Sequence, residues 1–434
     1  MHVRGQRESA VDDVLVLLGV FFGASPLATI ATVFIFDIPR DLTALISLGL
    51  SRLSGASGST EQLPSTDEES DVTVIIASLD DVEGVLVSLA SLRVQEVKPD
   101  RVIVFSDGSH DTSVAVLSEL KRRGDIDMVL INDLRMGRAV AGNQALRYVQ
   151  SRFVLYMDCD TRLDPSAIKA LRQRLMDRPE CAVCSGNIAI SNHRASIWTG
   201  LQQLEYMIAI DFGREFADTL GAIACCSGAM SMYCTKRFRE IGGFSSGSGE
   251  DLSATLRLRR AGYEAHFEAH AWAYTKAPET LSQLVSQRLR WDRDAFRIQL
   301  VQFRQAFKQS ADESLSNTLQ RYDYLLFTFL PTMMMPLFVP VLMRIPDAQL
   351  PAFIAGGYIF LVLLSTAILS PVFLSYRGRV SGYQILLLPI FPLYQGIVMK
   401  GVRLFAYLSE AIWHATSHDG FVPARIRKWL VGRN

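Results

Sequence analysis

Apolar residues fall in three zones along the chain. Val14–Phe36 carries no charge over its whole length. At 1.5 Å per residue it is long enough to cross a hydrocarbon core of ~30 Å. Acidic Asp12 and Asp13 precede it where a signal peptide would be basic, so a retained anchor is expected. Residues 54–70 are Ser/Gly-rich and then acidic, as in a linker. From Asp71 to about residue 300 no run is of membrane length. Uncharged stretches return at Tyr324–Met343 and Ala348–Tyr376. A third, Val380–Met399, is broken by Pro389 and Pro392. The expected division is residues 1–70 (transmembrane helix and linker), 71–300 (a soluble domain) and 301–434 (interfacial helices and transmembrane segments).

The soluble zone alternates strand and helix patterns. Short apolar runs at 72–77, 101–106, 128–131 and 153–157 read as buried strands. Residues 84–94 and 114–122 between them have helical spacing. This alternation predicts an α/β fold with a doubly wound, mostly parallel sheet. In such sheets ligands bind beyond the carboxyl ends of the strands.

Composition narrows the class. The 434 residues are 49% hydrophobic, which suits a membrane-associated chain. The 44 basic and 44 acidic residues cancel, so no nucleic-acid partner is expected. All six cysteines lie between Cys159 and Cys234 and read as reduced thiols. The apolar stretches carry no ionisable residue to mark a substrate path, which argues against a transporter.

Candidate chemistry sits where the strands end. Strand 101–106 runs into Asp107-Gly108-Ser109, with Asp111 close behind. Strand 153–157 runs into Asp158-Cys159-Asp160. Paired carboxylates suit a hard cation bridging a diphosphate, and Asp-Gly equally suits a plain turn. Glu250-Asp251 follows a Gly/Ser-rich loop. Adjacent like charges raise a carboxyl pKa, as a general base needs, and acidic residues also complement a helix N-terminus. Gln287-Arg288-Leu289-Arg290-Trp291 combines a forked cation for diphosphate with a flat ring for a sugar. An amphipathic interfacial helix has the same pattern.

In this order and spacing, Asp107, Asp158-x-Asp160, Glu250-Asp251 and Gln287-x-x-Arg290-Trp291 resemble the family-2 membrane glycosyltransferases. These include the cellulose, chitin, hyaluronan and poly-N-acetylglucosamine synthases. The resemblance covers about residues 72–300. It extends to Gly137-Arg138-Ala139 with Asn143, to Leu204-Glu205-Tyr206, to Cys226-Ser227-Gly228-Ala229 and to Ile241–Phe244. It implies a nucleotide-diphospho-sugar transferase fold of the GT-A type.

It also implies roles. Asp107, Arg138, Asp158, Gln287 and Arg290 would bind a UDP-sugar donor. Asp158 and Asp160 would hold Mg²⁺ or Mn²⁺. Asp251, beside Glu250, would be the base. Cys226, Ser227, Gly228 and Trp291 would meet the acceptor. The implied reaction inverts the anomeric centre and extends a β-linked polysaccharide. Transfer to a lipid acceptor of ceramide or polyprenyl type is the alternative, and an inactive sugar-nucleotide sensor a third. The expected place is the plasma membrane, with the catalytic domain cytoplasmic. Export partners or a homo-oligomer would compensate for the few spans. Two positions depart from the family pattern: Ser106 stands where many members have a first Asp, and Arg138 replaces the usual Lys.

Overall fold

The computed structural model describes residues 71–418, apart from 110–111, 304–313, 338–339, 341–342 and 376–381, together with residues 43, 44 and 46. The anchor at 14–36, the linker at 54–70 and Asp111 therefore lie outside the described residues.

The strand patterns produce strands. They are β1 (Val72–Ser78), β2 (Arg101–Asp107), β3 (Met128–Asn132) and β4 (Phe153–Asp158). Four more follow: β5 (Arg162–Leu163), β6 (Cys181–Ile190), β7 (Met230–Cys234) and β8 (Glu264–Thr275). They form one eight-stranded sheet in the order β3-β2-β1-β4-β7-β6-β8-β5. The first four pair parallel, Ile75 lying opposite Ile103 and Tyr156. The rest of the sheet is mixed. β7 runs antiparallel to both β4 and β6, β5 is antiparallel to β8, and β6 with β8 is parallel. The expected mostly parallel sheet is thus correct for the first half and needs correcting for the second. The chain comes back beside β6 after the helices Ile197–Tyr206 and Gly213–Thr219, and β7 enters antiparallel to both its neighbours.

Side chains alternate across the sheet and build two cores. Val74, Ile76, Val104, Leu155 and Met157 face the helices Val82–Arg93, Ser113–Arg122 and Ala167–Asp177. Ile75, Ile103, Phe105, Val154 and Tyr156 face the opposite layer, where the helices Arg138–Leu146 and Glu250–Arg260 pack. Tyr156, Tyr233, Phe238 and Phe244 interlock there at centroid distances of 4.3–6.0 Å. Both faces are covered, so the carboxyl ends of β1, β2 and β4 form the open rim.

A third apolar cluster joins the domain to the C-terminal helices. Leu201, Leu204 and Met207 meet Ile368, Leu369, Val372, Leu387 and Tyr394 in it. The helix Leu350–Ser375 matches the expected second stretch. Among the described residues only its part Leu350–Phe373 is long and apolar enough to cross a membrane. Only 11% of its most apolar window is buried inside the protein. The stretch from Tyr324 is broken, passing through a π-turn at Leu325–Phe329 and a 3₁₀ turn at Met335–Leu337. The third stretch is broken as the prolines require, into Tyr383–Leu387, Phe391–Leu393 and the π-helical Tyr394–Met399. The helix Lys400–Trp413 then returns to the domain, where Arg403 pairs with Asp292 at 3.0 Å.

Candidate active site

Arg138 is the hub. It starts the helix Arg138–Leu146, immediately after Gly137, whose φ of 93° makes the turn from the β3 loop. Its Nη2 lies 2.8 Å from Asp158 Oδ1, and its Nη1 lies 3.5 Å from Glu250 Oε1. Nη2 also donates to the Gly228 carbonyl at 2.5 Å. A Cβ at Gly228 would sit 2.4 Å from Nη1, so this approach requires glycine. Gly228 in turn donates its N–H to Asp251 Oδ2 at 3.0 Å. One guanidinium and one glycine thus bring together the end of β4, the loop before β7 and the first turn of the helix Glu250–Arg260.

Glu250 and Asp251 do open that helix, as dipole complementation predicts, and Asp251 Oδ1 accepts the Leu252 N–H at 2.8 Å. The N-cap is Gly249 at φ 72°, which supplies no side-chain oxygen, so the carboxylates stand alone at the turn. Burial pushes the Glu250 carboxyl up. Arg138 pulls it down, and Asp251 and Asp294 push it up further. Asp158 is also raised, by burial first and then by Asp251, against the pull of Arg138 and Arg290. Burial lowers the Arg138 pKa, but Asp158, Glu250 and Asp251 more than offset it. Asp158, Glu250, Asp251, Arg138 and Arg290 thus lie near enough to influence one another's charge.

Asp160 lies beyond Asp158 at the same strand end. Thr275 Oγ1 donates to it at 3.3 Å and Thr161 Oγ1 at 3.5 Å. Burial, and then Asp158, push its carboxyl up to about 6. Among the described residues no group of three or more His, Cys, Asp or Glu gathers as a metal site. Two hard carboxylate donors at one strand end, the first raising the pKa of the second, nonetheless fit a divalent cation whose other ligands are phosphate oxygens and water. Asp158 already has Arg138 beside it. Asp160 has the Thr275 and Thr161 hydroxyls and a backbone N–H beside it, and no ion pair among the described residues.

The remaining expected residues divide. Asp107 is 5% exposed, and both its oxygens are engaged. Oδ1 accepts from Asn132 Nδ2 at 3.1 Å and from the Met136 N–H at 2.8 Å, and Oδ2 from the Gly137 N–H at 2.7 Å. In this arrangement it shapes the loop that delivers Arg138. Ser106, fully buried, donates to Ser109 Oγ at 2.7 Å. The Cys226 side chain is fully buried in the core, and its N–H donates to Thr255 Oγ1 at 3.0 Å. The thiol beside Asp251 is that of Cys225, which sequence reasoning missed. Ser227 Oγ accepts the Ala229 N–H at 3.3 Å. Gln287 presents a buried Oε1 without a hydrogen-bond partner among the described residues. Trp291 is 42% exposed, with the Arg288 guanidinium 4.3 Å from its ring centroid. Gln287, Arg290 and Trp291 all lie on the helix Leu281–Phe296, which the capping box of Thr280 and Gln283 starts.

The comparisons agree with this geometry. Residues 70–293, just over half of the chain, match the family described as glycosyltransferase like family 2. The chain belongs to that family. Among its relatives is the poly-β-1,6-N-acetyl-D-glucosamine synthase of Staphylococcus epidermidis. It is 25% identical over 233 residues, which are 54% of this chain and 56% of the relative. The enzyme of the same name from Staphylococcus aureus strain COL is 25% identical over 238 residues, 55% of this chain and 57% of the relative. The match therefore spans little more than half the length of these curated relatives. A mannosyltransferase from Pyrobaculum calidifontis, solved in complex with GDP-Man and Mn²⁺, superposes with a TM-score of 0.55 at 14% identity. The match covers 88% of this chain and 99% of that one. The chain thus has the GT-A fold of the family-2 glycosyltransferases.

Proposed function

We propose that this chain is an inverting glycosyltransferase that moves a sugar from a UDP-sugar to a growing β-linked glycan at the cytoplasmic face of the plasma membrane. The names of the relatives point to N-acetylglucosamine as the sugar. One observation carries the reading: Arg138 joins Asp158, Glu250 and the Gly228 carbonyl, and the Gly228 N–H holds Asp251.

The chemistry follows from that arrangement. Asp251, fixed through its Oδ2, takes the proton of an acceptor hydroxyl as that oxygen attacks the anomeric carbon. The donor bond breaks on the opposite side, so an α-linked donor gives a β-glycoside in one displacement. Arg138 and Arg290 face the charge that grows on the leaving diphosphate, where preorganised cations count most. The Gln287 carboxamide, its buried Oε1 unpaired among the described residues, supplies a polar contact to the donor. Asp158 and Asp160 would hold Mg²⁺ or Mn²⁺, which when bound neutralises charge on the departing nucleoside diphosphate. Trp291 offers the acceptor sugar its uncovered face.

Membrane attachment is part of the proposal. The exposed, apolar Leu350–Phe373 suits a lipid environment. Ile385, Leu386, Ile390, Leu393 and Ile397 extend the apolar surface, as do Phe405, Leu408, Ile412 and Trp413. Residues 383–413 then lie along the bilayer surface on the catalytic side, and few spans remain for export. A second copy or a separate export protein would complete secretion.

The test is a donor screen on detergent-purified protein, reading UDP release with and without chelator. A water-soluble product that lengthens supports a polymer, and an organic-soluble glycolipid replaces it with the lipid acceptor. UDP release from no donor would reject the enzyme reading. Release that survives Asp251→Asn would reject the assigned base.

A further inference from the structure

Outside the donor pocket, three distant segments meet on one carboxylate oxygen. Arg288 Nη2 lies 3.0 Å from Glu205 Oε2, and Tyr394 Oη donates to the same Oε2 at 2.7 Å. Glu205 belongs to the helix Ile197–Tyr206, Arg288 to the helix that carries Gln287 and Trp291, and Tyr394 to the π-helical Tyr394–Met399. The group is sheltered. The side chains of Arg288 and Glu205 are 7% and 16% exposed, and Tyr394 is 2% exposed. The Arg288 guanidinium lies 4.3 Å from the Trp291 ring centroid and 5.7 Å from that of Tyr206. Arg288 is not exposed enough to bind a ligand. It covers one side of the one aromatic ring that the helix leaves open.

We infer that Glu205, Arg288 and Tyr394 are positioning residues for the acceptor. They fix the Trp291 ring and close one of its faces, so that an acceptor sugar stacks on the other. The inference rests on Trp291 being the acceptor platform. A carboxylate anchors the arginine that stacks on the ring through the single Nη2–Oε2 contact, which offsets the cost of holding a guanidinium in a sheltered site. The hydroxyl of Tyr394 ties that carboxylate to the segment whose outer face is apolar. Acceptor binding thereby depends on how residues 383–399 are seated.

Two measurements test this. Tyr394→Phe keeps the ring and its packing but removes the donated hydrogen bond. Arg288→Lys keeps the charge but loses the planar stack. With an active wild type and an oligosaccharide primer, each variant is expected to raise the acceptor KM by roughly tenfold or more, as loss of one charge-assisted hydrogen bond implies. The donor KM should stay within about twofold of wild type, at the margin of a surface effect. Donor and acceptor KM rising together, or neither rising, would overturn the inference. The second measurement needs no turnover: acrylamide quenching of Trp291 fluorescence, isolated by subtracting Trp291→Phe. Quenching should increase in both variants as the covered face opens. Unchanged quenching overturns the inference even if the protein proves to be no transferase, and increased quenching in an inactive wild type sinks the proposed function while leaving the positioning role standing.

Discussion

Replacing Arg138 by alanine should reduce kcat/KM for transfer and move the acid limb of the pH profile upward. The side chain makes a 2.8 Å ion pair with Asp158 and a 2.5 Å bond to the Gly228 carbonyl, with Glu250 at 3.5 Å. A hydrogen bond to a charged group contributes about 1.5–3 kcal/mol. The Asp158 side chain is 37% exposed and that of Arg138 29%, so water screens the pair. Counting two such bonds at the lower end gives about 3 kcal/mol, or roughly a hundredfold in kcat/KM. The pH effect has a definite sign. Arg138 holds down the carboxyls of Asp158 and Glu250, both already raised by burial. Removing it lets both rise further, so a higher pH is needed to keep them ionised. Steady-state UDP release measured from acid to neutral pH reports both quantities. An acid limb that stays in place, or moves down, would refute Arg138 as the common counter-ion. A loss below about threefold would show that the hub adds no more than a surface pair does.

Asp251→Asn should lower kcat by roughly 10²–10⁴ while donor binding persists, because the amide oxygen can still accept the Gly228 N–H; isothermal titration with UDP checks the binding. Asp160→Asn should raise Tm in chelator at neutral pH and abolish any rise on adding Mg²⁺. The folded carboxyl, at about 6 against 3.8 for an unperturbed carboxyl, opposes folding once pH climbs through that window. The gain is bounded at about 3 kcal/mol before screening, and differential scanning fluorimetry reads it. Glu250→Gln should likewise raise Tm at neutral pH, since its raised carboxyl also costs stability above its unfolded value; a lower Tm would contradict the buried charge. A reporter fused after residue 434 should lie on the same side of the membrane as the catalytic domain, because Arg403 pairs with Asp292 and Arg293 donates to Ser409 at 3.0 Å; protease protection in inverted vesicles decides it.

The first half of the fold was legible because each parallel strand there is a short apolar run followed by a helix of its own. β7 and β8 were not, because Met230–Cys234 is brief and mixed with polar residues. β8, at twelve residues, changes pattern midway, alternating polar and apolar residues over 264–270 and then running Ala271-Trp272-Ala273-Tyr274. The site carboxylates were visible because strand ends deliver them. Their partners were not. Nothing local marks Gly228 as the point where Arg138 must pass, nor Tyr394 as a partner of Glu205, which lies 189 residues away. Such contacts depend on how the layers pack. Nor does the motif that holds Cys226 reveal that packing turns its side chain into the core.

Charge also bears on where the proposed membrane attachment places the third C-terminal stretch. The sequence left a conflict, because a full span there would put Lys400 and Arg403 on the side opposite the catalytic domain, against the preference of basic residues for the cytoplasm. The ion pair with Asp292 removes it, since a side chain cannot reach across a bilayer to a helix of the catalytic domain. Burial beside Asp292 keeps Arg403 charged, as the carboxylate offsets the cost of desolvation. Tyr383 and Leu387 give the same answer at the other end of the stretch. A Cβ on Gly200 of the catalytic domain would come within 2.9 Å of Tyr383 and 2.5 Å of Leu387. A segment pinned to one domain at both ends cannot leave its side of the membrane. Under the proposed membrane attachment its exposed isoleucines and leucines meet lipid along the surface, beside the tyrosine that binds Glu205.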